Sequence, residues 1–385
     1  MLHNLFIIWK KGAAGRIPGG LLGMIVLIAA VEGSIESHRV ELTNLGNASW
    51  RWGGDAVWKR AEGRELLCFG DSLLKTGIVP RILERKTGLK AYNFAVHGAQ
   101  PPATYFLLRR ALAAGAKPKA AVVEYIPNML TGGPRDWARL WPELATPREI
   151  VELAWNARDA TFLASTLVAR VFPSVRRRSD LRVRIVAALN GDSKAEDGAE
   201  VAAHLRNWEV NLGAQLSPPN PSFSGVPTEK DQKDYMTTKW WCDKINRLYI
   251  ERFLELARSR GITVFWLAPP ISPNLQAERE RGGSDRAHTK FIADFGRRFP
   301  NLIVLDGRGS GFPKSRFVDL VHLDRDGAPA LSDAVGTAIA EVLRGNREEG
   351  WIVLPRYRPV AIDRDREDVR ESRIAIEAND GRVRR

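Results

Sequence analysis

Cysteine is scarce in this chain. Only Cys68 and Cys242 occur among 385 residues, and neither belongs to a Cys-x-x-Cys pair. That excludes a zinc ribbon and a dithiol redox motif. Cys68, inside an apolar run, reads as a small core residue, and a Cys68–Cys242 bridge stays open. Histidine is nearly as rare, with 6 in all. His204 and His288 have no acidic or cysteine partner at ligand spacing, so no metal is expected and both are expected at solvent. No Gly-rich phosphate loop, RNA-binding signature, zinc-finger spacing or internal repeat is present, and no cofactor is expected. Acidic residues number 45 against 58 Lys and Arg, giving a formal net charge of +13. Such an excess favours an anionic partner, and without a nucleic-acid motif a lipid surface or acidic polysaccharide ranks above nucleic acid. The cluster from Arg176 through Arg177, Arg178 and Arg182 to Arg184 is the candidate contact, set against the plainer reading of a solvated helix face.

One long apolar run stands out against this polar background. Lys10, Lys11 and Arg16 precede Ile17 to Val31. Positive charge followed by about 15 apolar residues matches a signal peptide or signal-anchor, though a full span needs about 20. Residues 1–34 are therefore expected to export the chain or tether it, with the body extracytoplasmic. The competing reading is a buried N-terminal helix. Residues 35–63, with Gly46, Gly53 and Gly54 and the tryptophans Trp50, Trp52 and Trp58, read as a connector.

From Glu65 the pattern alternates between short apolar strands and helices. Strands are expected at 65–69, 90–96, 120–125, 262–268 and 301–305. Helices are expected at 73–87 (broken near Pro80), 102–114, 239–260, 285–299 and 326–344. This rhythm predicts an α/β domain over 64–345 built on a mostly parallel five-stranded sheet. Residues 134–235 break the rhythm and read as a helical insertion containing a helical stretch from Pro147 to Phe172. The tail, 346–385, is dense in charge of both signs and is expected to be disordered.

In a parallel sheet, sites form at the carboxyl ends of strands. Ser72 follows the first strand within Phe69-Gly70-Asp71-Ser72-Leu73. Taken alone, Asp71 or Ser72 could simply cap a helix. Far downstream, Asp319-Leu320-Val321-His322 precedes the last helix and can supply a general base and its acidic partner from one loop. Donors for an oxyanion are offered by the backbone N–H groups of Ser72 and of Gly98, after the second strand, and by the side chain of Asn128, after the third. His97, next to the glycine after the second strand, reads equally as a substrate contact or as a structural histidine; Asp71 is a second candidate contact, and Glu124 reads as a strand-end carboxylate able to bond nearby loops.

These blocks, in this order, resemble the SGNH (GDSL-type) hydrolase family over about residues 65–343, outside 134–235. Gly70-Asp71-Ser72-Leu73 resembles the nucleophile block, Asn93 to Gly98 the glycine block, and Asp319-x-x-His322 the last block. The third block departs from Gly-x-Asn-Asp, reading Ile126-Pro127-Asn128-Met129. The resemblance implies a flavodoxin-like three-layer α/β/α fold, no metal, and ester hydrolysis or acyl transfer through Ser72, His322 and Asp319. It also implies an acylated carbohydrate or another small ester as substrate, by analogy with exported esterases and O-acetyl-transferring relatives. The contrasting expectation is a catalytically silent glycan-binding protein on the same fold.

Overall fold

Six short strands form one sheet: β1 (Leu66–Phe69), β2 (Ala91–Asn93), β3 (Ala120–Val123), β4 (Thr263–Ala268), β5 (Leu302–Asp306) and β6 (Trp351–Val353). Every pairing is parallel, in the order β2-β1-β3-β4-β5-β6. The computed structural model describes residues 19–38, 45–190, 198–235, 240–360 and 366–383. Lys10, Lys11, Arg16 and Lys239 lie outside the described residues.

A parallel sheet is covered on both faces, so its strands read as unbroken apolar runs. In β1, Leu67 and Phe69 point into one core, while Leu66 and Cys68 point into the other. Helices α1 (Gly19–Ser37) and α2 (Leu45–Arg60) precede the sheet. Helices α3 (Ser72–Gly77) and α4 (Pro80–Thr87) follow β1, and α5 (Pro101–Ala113) follows β2. After β3 come α6 (Trp141–Leu144), α7 (Pro147–Ala157), α8 (Ala160–Val171), α9 (Pro173–Arg176), α10 (Arg178–Leu189), α11 (Gly198–Val210) and α12 (Glu229–Tyr235). Helix α13 (Lys244–Ser259) leads into β4, and α14 (Pro273–Gly282) and α15 (Ser284–Arg298) lead into β5. Helix α16 (Gly327–Leu343) precedes β6, and α17 (Val369–Val383) ends the described chain. Side chains of α4 and α16 fill one core; those of α2, α5, α13 and α15 fill the other. The result is a three-layer α/β/α fold.

Several expectations need correction. The sheet has six strands, not five, because the tail is structured. Ile352 of β6 is buried beside β5. The second structured piece, α17, is held on α11 by polar bonds. Glu367 takes two bonds from the Arg206 guanidinium (2.7 and 2.9 Å), and its carbonyl accepts from Asn207. Residues 35–63 are not a connector throughout: α2 is a core helix with Trp50 and Trp52 buried. Its Gly53 and Gly54 permit close packing. A Cβ on Gly53 would lie 2.4 Å from Val96 Cγ2, and one on Gly54 would lie 3.2 Å from the Glu143 and Leu144 carbonyl oxygens. The helical stretch expected from Pro147 to Phe172 is two helices, α7 and α8, parted at Arg158, whose φ is +51°. Cys68 and Cys242 are both free thiols.

Among the described residues one helix, over Gly20–Ser37, is long and apolar enough to cross a membrane, and none of it is buried in the protein.

Candidate active site

The strand order reverses between β2 and β3 on either side of β1, and the loops after these three strands meet there. This switch point is where open α/β sheets leave a crevice. Backbone bonds sew the three loops together. Val96 N–H donates to the Gly70 carbonyl at 3.0 Å, and Glu124 N–H donates to the Phe69 carbonyl at 3.1 Å. Asp71 caps α3 by accepting from Leu73 N–H at 2.9 Å, and its other oxygen accepts from Ile126 N–H at 3.1 Å.

Ser72 begins α3 one residue after that cap. Its Oγ lies 2.7 Å from His322 Nε2, although 250 residues separate them. His322 Nδ1 lies 2.7 Å from Asp319 Oδ2, and Asp319 Oδ1 accepts from the N–H groups of Val321 and His322, both at 2.9 Å. Partial burial pushes the Asp319 carboxyl up, but the His322 bond, its charge and the two N–H groups outweigh this and hold it below its ordinary value. An ionised Asp319 only accepts, so Nδ1 carries the ring proton and Nε2 is left to accept from the Ser72 hydroxyl. Serine, imidazole and carboxylate thus form one chain of bonds.

Gly98 occupies a turn closed by Ala99 N–H to the Val96 carbonyl at 3.0 Å. Its φ of +65° is in the left-handed region, and a Cβ there would lie 3.2 Å from Trp137 Cη2. Glycine satisfies both constraints. Helix α2 braces this turn, because Trp50 Nε1 donates to the His97 carbonyl at 2.8 Å and the Trp50 ring stacks on Trp137. Among the described residues, the N–H groups of Ser72 and Gly98 donate no hydrogen bond, so both remain able to serve a ligand. Asn128 lies in the short helical turn Pro127–Leu130 after β3; its Oδ1 is buried without a donor. Neither Gly98 nor Asn128 is bonded to Ser72, His322 or Asp319. Their loops flank the Ser72 loop on opposite sides.

One candidate contact is reassigned. Asp71 does not face a substrate, because both of its oxygens are used inside the fold. The His97 ring is held by Gln215, with Nε2 3.0 Å from Oε1. Burial and the neighbouring Lys75 push His97 down to about 3, so it is neutral at physiological pH. His204 is half-buried and bonded to the same Gln215, and His288 is buried rather than at solvent.

Behind Ser72 lies a pair of buried acids, Asp71 and Glu124. Neither Glu124 oxygen meets a donor among the described residues. Two facing buried carboxylates are not both charged; one proton between them removes the repulsion and makes one acid a donor. Burial, then the charge of Asp71, raises Glu124 well above the ordinary carboxyl range. Burial raises Asp71 as well, offset in part by the Glu124 bond and by the Leu73 and Ile126 N–H groups. Glu124 is held the further toward its protonated form, and as a neutral acid it can donate to Asp71. The sequence marked Glu124 as a loop-bonding carboxylate but carried no sign of its protonation.

Lys75 escaped the sequence reading altogether. It is completely buried on α3, donates to the Ala95 carbonyl at 3.2 Å and lies 5.5 Å from the Trp208 ring centre. Burial lowers its ammonium to about 7. The available signal was its position, one helical turn after Ser72 within an apolar stretch. Gln215 was missed because it lies in the insertion, whose N–H groups and side chains bond back to the core: Gln215 N–H donates to the Lys75 carbonyl at 3.0 Å.

No group of three His, Cys, Asp or Glu able to hold a metal ion occurs among the described residues. No protein-family model matches this chain, and no curated protein matches it.

Proposed function

We propose that this protein is an SGNH-type serine esterase that removes or transfers short acyl groups, with O-acetylated carbohydrate as the substrate class the resemblance implies. The observation that carries the reading is the unbroken bond chain from Ser72 Oγ through His322 to Asp319, each link 2.7 Å.

In this mechanism His322 Nε2 takes the hydroxyl proton as Ser72 Oγ attacks the ester carbonyl carbon. Asp319 holds Nδ1–H and stabilises the imidazolium. The N–H groups of Ser72 and Gly98, with the Asn128 amide, receive the oxyanion. Collapse breaks the bond to the sugar oxygen, which takes the proton from His322. Water, or a second sugar hydroxyl, gives its proton to His322 and attacks the acyl carbon; collapse breaks the acyl–Oγ bond, Ser72 Oγ takes the proton back from His322, and the acid or new ester leaves. The apolar cluster next to the triad, including Leu73, Ile126, Ile271 and Leu320, suits an acyl group better than a charged one.

The apolar α1 is read as an anchor that holds the catalytic domain on the extracytoplasmic side. Glu32 and Glu36 support this, because they are bonded to the folded body through Ser174 and Arg176. A silent glycan-binding protein would have no need of an aligned base.

The test is turnover of a chromogenic acetate ester by the full chain and by Ser72→Ala. The expected result is loss of turnover with folding unchanged. Equal turnover in both proteins removes Ser72 as nucleophile. Supplying an acetylated donor with a sugar acceptor separates transfer from hydrolysis.

A further inference from the structure

The arginine cluster that suggested an anionic contact is only partly turned outward. Arg176 bonds Glu36 at 2.7 Å and Glu143 at 3.0 Å, and Arg177 is buried. The more telling surface is on the preceding helix. Along α8, Leu167, Val168 and Val171 are 41–67% exposed, and Phe172 and Val175 continue the stripe at 36% each. On α7, Trp155 is 83% exposed and shares with Val151 and Leu163 an apolar cleft of about 540 Å³. Soluble monomers seldom leave such side chains together in water; they mark a surface that meets something apolar.

The position of α1 says what that is. Its apolar stretch ends at Val31, and its bonds to the body begin at the next residue. Glu32 accepts from the Ser174 N–H at 2.8 Å and from the Ser174 hydroxyl, and Glu36 accepts from Arg176. Helix α9 is thus clamped at the level where the apolar stretch gives way to polar residues. For a membrane-spanning α1, that level is the bilayer surface. Helix α8 runs directly into α9 and has 12 residues, so it is about 18 Å long and cannot cross a core of about 30 Å. Its outward apolar stripe can still lie in the boundary layer. Arg170 at the end of α8 and Arg178 and Arg182 on α10 are exposed; at a bilayer surface guanidinium groups meet phosphates while their stems stay in the apolar layer.

We propose that α8, with Trp155 of α7 and Val175 of α9, lies in the surface of the same anionic bilayer that α1 spans, giving the catalytic domain a second, in-plane membrane contact. The proposal rests on the anchor reading of α1 and is independent of the esterase reading. It predicts that the insertion works as a membrane foot and sets the domain's orientation on the bilayer.

The test uses the full chain carrying Cys242→Ser, with Cys68 buried, in nanodiscs of phosphatidylcholine and phosphatidylglycerol. Nitroxide labels are placed one at a time at Leu167→Cys, Val171→Cys and, on the opposite layer, Arg344→Cys. Labels at 167 and 171 are expected to sit about 5–10 Å below the headgroups, open to oxygen and at least tenfold less open to a water-soluble nickel chelate than the label at 344. A chain retained by the discs whose labels at 167 and 171 behave like 344 overturns the docking while leaving the anchor. Labels shielded from both reagents, with short label-to-label distances between chains, assign the stripe to a second copy and also overturn it. A chain that elutes free of the discs overturns anchor and docking together.

Discussion

Replacing Glu124 with glutamine tests the protonation of the buried acid pair. A glutamine amide can donate to Asp71 as the protonated carboxyl does, so packing and bonding survive. What disappears is the titration. In the unfolded chain Glu124 ionises near its ordinary value of 4.5, whereas burial and Asp71 hold it protonated well above that value in the fold. A folded-state value raised in this way means that native stability is full below pH 4.5 and is lost as pH rises through the folded value. Each pH unit in that window removes about 1.4 kcal/mol from the wild type through Glu124, a loss that Glu124→Gln does not share. For domains of 150–250 residues 1 kcal/mol moves the melting temperature by roughly 2–4 °C. Melting curves from pH 4.5 to 8 should therefore show the variant gaining on the wild type by a few degrees per pH unit until Glu124 ionises. Ester turnover by the variant should stay within a few-fold of wild type, because Glu124 touches Asp71 and not the reacting atoms. A melting-temperature gap that does not change with pH would refute the shared-proton account. Lost turnover in a variant that melts normally would show that Glu124 does more than hold the loop.

Two further outcomes follow from the same geometry. Asn128→Ala should lower ester kcat by about 100- to 1000-fold if its amide serves the oxyanion, with little change in melting temperature. An unchanged kcat in steady-state assays would leave the oxyanion to the two backbone N–H groups. Lys75→Met removes an ammonium whose folded value, about 7, lies below its ordinary 10.5. The wild type therefore gains stability between pH 7 and 10.5, so the variant's melting-temperature advantage should be largest near pH 7 and shrink toward pH 10; a constant advantage would place the charge in contact with solvent.

Much of this site was legible because its chemistry is local in sequence. Gly70-Asp71-Ser72 ends a short strand, and Asp319 and His322 share a single turn, so two segments suffice for three roles. The parallel sheet was legible for a similar reason: strands such as Leu66–Phe69 are apolar throughout. What escaped depends on long-range packing. Helix α2 read as a connector because Gly53 and Gly54 signal flexibility in isolation, and only the nearness of Val96 and Leu144 shows that they permit contact. The sixth strand is three residues set in charged sequence. Helix α17 is held largely by ion pairs such as Arg325–Asp368 (2.9 Å) rather than by an apolar stripe. His97 could be read either as a substrate contact or as a structural histidine, because its partner, Gln215, lies 118 residues away.

The most direct test of the central claim is the site of covalent labelling. Incubation of the full chain with a fluorophosphonate, followed by peptide mass mapping, should give one adduct on the peptide containing Ser72. His322→Ala should slow its formation by several hundred-fold or more while the protein remains folded. An adduct elsewhere, or labelling of Ser72 at an unchanged rate without His322, would contradict the account.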